Sequence, residues 1–113
     1  HPNYPEKSDP TNQIVMGCGV ALKSSASQRY VSDSEASAVV MALARKNDIK
    51  VQRQVNRSGM AGGQTLGPIA SSYLPVRAVD MGIPILAMHS AMELGSAEDY
   101  SQLKALCSAV FEM

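Results

Sequence analysis

The chain has 113 residues, with ten basic and ten acidic side chains, 45% apolar residues, four tyrosines and no tryptophan. That length supports one core, burying roughly 65% of the surface that an unfolded chain of this size exposes, and excludes an enzyme domain with a separate regulatory domain. A formal net charge of zero supplies no concentrated basic field, so neither nucleic acid nor a membrane surface is expected as a partner, and no apolar run approaches the roughly 18 residues that would span a bilayer.

The first residues, His1-Pro2-Asn3-Tyr4-Pro5, lack an initiator methionine, and the chain is expected to be a piece of a longer protein or a processed product. Residues 3–13 are polar and hold Pro5 and Pro10, a composition that favours irregular structure. Ile14 to Met16 and Val20 to Leu22 flank the Gly17-Cys18-Gly19 break, which reads as a strand interrupted by a bulge, with Lys23 at its end. Ser32 and Glu35 have the spacing of a capping box, so a helix is predicted over 33–46, with Ala36, Val39, Val40, Leu43 and Ala44 on one face. Ile49 to Val55 alternates as a strand with one buried face.

A glycine-rich turn follows, then a helix from Gln64 in which Pro68 is tolerable only in the first turn and which Pro75 ends. Val76 to Met81 alternates, and after Gly82 the run Ile83-Pro84-Ile85-Leu86-Ala87-Met88 is apolar enough for a buried strand leading to His89. Ser96 to Asp99 resembles a cap, and Tyr100, Leu103, Leu106, Cys107 and Val110 form one helical face up to the C-terminus. Strands alternating with helices predict an α/β sandwich with helices covering a mixed or mostly parallel sheet.

Three features could carry chemistry. His89 follows the most apolar segment, at the strand end where ligands of open α/β sheets gather, though position alone is more often met by a histidine satisfied by local hydrogen bonds. No second histidine or cysteine stands at ligand spacing to it, which argues against a self-contained zinc site. The stretch from Gly59 to Pro68 joins a strand to a helix; it is either a tight turn or an anion contact, and Pro68 after Gly67 excludes a Walker nucleotide loop. Lys23, Arg29 and Tyr30 could bind a carboxylate or polarise a carbonyl, or be plain surface. Cys18 and Cys107 have no metal-motif spacing and read as reduced core thiols of a cytoplasmic protein.

Several separate blocks occur together in order: His1-Pro2-Asn3-Tyr4, Gln28-Arg29-Tyr30, Gly63-Gln64-Thr65-Leu66-Gly67-Pro68-Ile69, and Val79-Asp80-Met81-Gly82-Ile83-Pro84 leading to Met88-His89-Ser90. In this the chain resembles, from residue 1 to about 111, the aspartyl aminopeptidase family of dinuclear zinc aminopeptidases, which includes the vacuolar aminopeptidase I type. The resemblance implies a three-layer α/β sandwich of zinc-peptidase type, a mixed sheet with helices on both faces, of which residues 1–113 are the C-terminal portion of the catalytic domain. It implies metal-assisted release of N-terminal acidic or neutral residues from a peptide substrate, with two zinc ions per complete chain. It also implies assembly into a homo-oligomer, a dodecamer in the family.

By the same resemblance His89 is a zinc ligand, Tyr30 stabilises the transition state and touches substrate, and Lys23, Gly63 and Thr65 contact substrate. The bridging aspartate, a further histidine, the remaining ligands and the general-base glutamate precede the His-Pro-Asn-Tyr block in the family, so the upstream part of the polypeptide is an expected partner and residues 1–113 alone are expected to be inactive. Gly59 stands where the family usually has aspartate or a similar polar residue and Met92 where it commonly has arginine, so a salt link near the site is not expected to be kept. The alternative from another class is a non-catalytic α/β module, for interaction or for anion binding at Gly62-Gly63.

Overall fold

The computed structural model describes residues 4–60, 62–64 and 66–113. After a single 3-10 turn at Pro5–Lys7, the order is β1 (Val20–Ser24), α1 (Ser34–Lys46), β2 (Val51–Val55), α2 (Leu66–Ser71), β3 (Asp80–Gly82), β4 (Ile85–Leu86), β5 (Leu94–Gly95) and α3 (Ala97–Phe111). This is the predicted alternation, and the sheet is mixed. β1 is central, parallel to β2 with Val20 opposite Val51 and antiparallel to β3 with Lys23 opposite Asp80, giving the order β2-β1-β3.

Strand alternation sends Val20 and Leu22 to the same side of β1, where they pack with Val40 and Ala44 of α1, Ile49 before β2, and Leu106 of α3. Val20, Ala44 and Leu106 are wholly buried, and removing a side chain such as Val20 or Leu106 from water is worth about 1.5–3 kcal/mol. α1 and α3 thus share one face of the sheet, so neither contributes the layer on its other face.

α1 forms where alanines and straight-chain residues dominate, with Arg45 and Lys46 in its last turn suited to the negative end of the helix dipole. Its cap is shifted by one residue from the expected capping box: the Asp33 carboxylate, not the Ser32 hydroxyl, accepts the Ala36 N–H, at 2.7 Å. Ser32 Oγ instead accepts the Asp80 N–H at 2.8 Å. At its far end Asp48 takes the left-handed conformation, φ 53°, and Ile49 N–H donates to the Ala44 carbonyl at 2.8 Å. Ser96 caps α3 as its spacing predicts, accepting the Asp99 N–H at 3.3 Å.

The Gly17-Cys18-Gly19 break is a tight turn seated on a carboxylate. Asp99, in the first turn of α3, is fully buried, and its two oxygens accept the N–H groups of Gly17 and Gly19, each at 2.7 Å. Gly19 has φ +98°, and a Cβ there would lie 2.2 Å from the Lys50 carbonyl oxygen. Only glycine lets β1 enter beside β2 at that distance. The turn puts Cys18 on the surface and Cys107 is only half-buried, so the two free thiols are not core groups.

Other expectations are corrected. α2 is six residues long and leaves Leu66 and Tyr73 about four-fifths exposed, at 80% and 81%. Residues 76–79 have no regular structure, and strand pairing begins only at Asp80. The run from Ile83 to Met88 is not one buried strand: β4 is two residues, paired antiparallel with a β5 that the sequence pattern did not signal, and Leu86 and Met88 are exposed.

Candidate functional site

β1 delivers Lys23 to the edge of a loop, residues 25–33, that carries Tyr30 before α1 begins. In that loop Gln28 has φ 53°, and the chain doubles back so that the Lys23 ammonium stands 5.6 Å from the centroid of the Tyr30 ring, an attractive cation–ring arrangement. The half-buried Tyr30 hydroxyl donates to Asn56 Oδ1 at 3.4 Å, from the residue directly after β2. The Asn56 amide nitrogen in turn lies so close to Gly62 that a Cβ there would approach it to 2.7 Å. Lys23, Tyr30 and the start of the glycine turn are thereby brought together.

Tyr30, Asn56 and Gly62 line a polar cavity of about 270 Å³, with Lys7 and Arg57 adding positive charge and Asp9 negative charge. Thr11 donates to Asp9 through both its hydroxyl and its N–H, and these bonds hold the Asp9 carboxyl below its ordinary pKa. Gly63 is exposed, with open space around it. Thr65 lies outside the described residues, as do His1, Pro2 and Asn3. A larger cavity, about 560 Å³, lies between Ser24, Ser37, Arg45 and Arg53 and holds none of the predicted site residues.

His89 stands apart from this cluster. It sits in the loop between β4 and β5 rather than at the end of a buried strand, is exposed, and does not line the Tyr30 cavity. Ala87 and His89 both take left-handed backbone, φ 57° and 68°, and the His89 N–H is accepted by the Glu93 carboxylate. The bond holds the loop backbone and leaves the imidazole itself unused by it. An exposed imidazole on a braced loop is a suitable nitrogen donor for zinc, but among the described residues no three histidine, cysteine, aspartate or glutamate side chains are grouped to hold a metal ion. A lone imidazole of this kind fits zinc only as one donor among several, since a zinc site takes three or four protein ligands.

Sequence reasoning missed Asn56, Asp80 and Asp99. Asn56 and Asp80 act across 26 and 49 residues of chain. Asp99 had a faint signal in the two glycines spaced to present adjacent N–H groups.

Against known proteins, the family described as aminopeptidase I zinc metalloprotease (M18) matches residues 1–111. A probable M18 family aminopeptidase 2 of Clostridium novyi is 52% identical over 100 residues, covering 88% of this chain and 23% of that protein. Among solved structures, a cryo-EM structure of an Ape4 and Nbr1 complex superposes with a TM-score of 0.93 at 31% identity, over 98% of this chain and 21% of that one. The S. cerevisiae mApe1 dodecamer superposes with a TM-score of 0.79 at 27% identity, over 99% and 24%. The chain therefore spans about a quarter of the length of the relatives it matches.

Proposed function

Because the chain belongs to the aminopeptidase I zinc metalloprotease (M18) family, we propose that it forms the C-terminal part of the catalytic domain of a zinc aminopeptidase that releases N-terminal acidic or neutral residues from peptides. Two zinc ions per complete chain, when bound, supply the Lewis acidity for hydrolysis. His89 would hold one of them through an imidazole nitrogen, presented on an exposed loop that the Glu93 carboxylate braces at its backbone N–H. One imidazole does not close a zinc site, so the upstream part of the polypeptide completes it and residues 1–113 alone do not hydrolyse peptides.

The observation that carries the catalytic reading is the placement of Lys23 beside the ring of Tyr30, which with Asn56 and Gly62 of the glycine turn lines one polar cavity. With substrate in place, the Tyr30 hydroxyl leaves its long bond to Asn56 and donates to the oxygen that gains charge during attack. Lys23 binds the substrate carbonyl or carboxylate side, and the exposed Gly63 borders the bound peptide. The working form is a homo-oligomer, for which the dodecameric relative is the support, and the two unpaired thiols suit a cytoplasmic setting.

Tyr30→Phe in the complete, zinc-replete enzyme tests this. It removes one hydrogen bond that is strongest in the transition state, so kcat falls by about 10² to 10³ with KM nearly unchanged. A kcat within about twofold of the parent, normalised for folded protein, excludes the role.

A further inference from the structure

Asp80 lies where the elements around Tyr30 meet. It opens β3, opposite Lys23 of β1 in the antiparallel register. Its Oδ2 accepts the Val31 N–H at 2.9 Å, and its own N–H donates to Ser32 Oγ at 2.8 Å. α2 closes over both groups: a Cβ at Gly67 would come within 2.9 Å of that same Oδ2 and 2.5 Å of Val31 Cγ1. The diversion of Ser32 away from the helix cap, noted above, is part of this arrangement.

The two residues that follow Tyr30 are thus pinned, one through its amide and one through its hydroxyl. Among the described residues the phenol itself is supported laterally, by Asn56 at 3.4 Å and Lys23 at 5.6 Å. The Val31 N–H belongs to the rigid peptide plane whose other end is the Tyr30 Cα. Fixing that N–H fixes the direction in which the Tyr30 side chain leaves the backbone. A tilt of roughly 10° at that plane swings the phenol oxygen by about 1 Å, and a misplacement of that size costs about 10² in rate.

We propose that Asp80 is the positioning residue that aims the Tyr30 hydroxyl at the reacting carbonyl; this rests on the catalytic assignment of Tyr30 made above. Asp80 touches neither substrate nor metal in this scheme and acts on turnover through the backbone that it holds. Its effect on turnover therefore exists only while Tyr30 has a hydroxyl to aim.

The experiment is a double-mutant cycle in the complete, zinc-loaded enzyme, with kcat and KM measured for Asp80→Ala, Tyr30→Phe and the pair. Asp80→Ala lowers kcat by about ten- to a hundredfold with KM within about twofold, and in the Tyr30→Phe background it lowers kcat by less than about twofold. Asp80→Asn, whose amide oxygen still accepts the Val31 N–H, keeps kcat within about threefold. Should Asp80→Ala fail to fold, Asp80→Glu takes its place in the cycle, because the longer side chain keeps the charge but shifts the acceptor, and the same non-additivity is expected. An equal loss in both backgrounds overturns the positioning role and leaves Tyr30 catalytic. Unimpaired turnover in Tyr30→Phe overturns the catalytic assignment and the positioning role together.

Discussion

The Asp99 carboxylate supports two backbone donors at once, Gly17 N–H on one oxygen and Gly19 N–H on the other, both at 2.7 Å, inside a fully buried site. Asp99→Asn is nearly isosteric, yet its side chain has a single acceptor oxygen, so its NH2 group must face one of the two donors. A hydrogen bond to a charged group contributes about 1.5–3 kcal/mol, and a buried donor left unpaired costs about as much. Asparagine should therefore lose about 2–3 kcal/mol of local stability, and Asp99→Ala about 3–5 kcal/mol. The readout is native-state hydrogen exchange of the peptide covering residues 15–24 in the complete protein, because the turn and the start of β1 open together when Asp99 lets go. At about 1.4 kcal/mol per tenfold, the asparagine variant should exchange there roughly 30- to 150-fold faster and the alanine variant faster still. An asparagine variant protected as well as the parent would refute the two-donor account, since it would mean that only one of the bonds stabilises the turn.

The same turn separates two glycines of like conformation. Gly17→Ala, with open space around it and φ +87°, should cost only the strain of left-handed alanine, about 1–2 kcal/mol, whereas Gly19→Ala adds a Cβ 2.2 Å from the Lys50 carbonyl oxygen and should be clearly worse; paired thermal melts of the two variants decide it. At the surface, the hydrogen bond to Glu98, at 2.9 Å, and then its charge raise the Lys50 pKa above the ordinary lysine value. The pair's small stabilisation is therefore fully present below that ordinary value and lost as pH rises through the raised one. The melting-temperature difference between parent and Lys50→Met should be constant through neutral pH and fade only beyond about pH 10.4; a difference that disappears near neutrality contradicts this.

What could be read from the sequence was local. α1 and α3 follow from apolar residues at three- and four-residue spacing, β1 from a short apolar run after a glycine break and β2 from alternation, because each pattern lies within one element and meets one shared core. The cap of α1 was misplaced by one residue because Ser32 has a distant competitor, the Asp80 N–H, that no local rule contains. The β4–β5 hairpin was missed because two-residue strands have no period to detect, and a run that looks buried by composition is in fact half exposed. Lys23, Tyr30 and His89 stood out by residue type and position, and their specific roles came from family resemblance. The structure draws the first two together and places His89 on a separate loop. Asn56, Asp80 and Asp99, which hold the surroundings in place, work through contacts far apart in the chain and left no pattern beyond the spacing of Gly17 and Gly19.

His89 is the zinc ligand that we propose this chain contributes to an aminopeptidase. The most direct test of that role is the zinc content of the complete purified protein, parent against His89→Ala, by elemental analysis alongside peptidase activity. The parent should hold two zinc ions per chain, and the variant should lose zinc and activity together while its circular dichroism is unchanged, because His89 is exposed on a loop and fills no core. Two zinc ions per chain and full activity in His89→Ala would contradict the assignment.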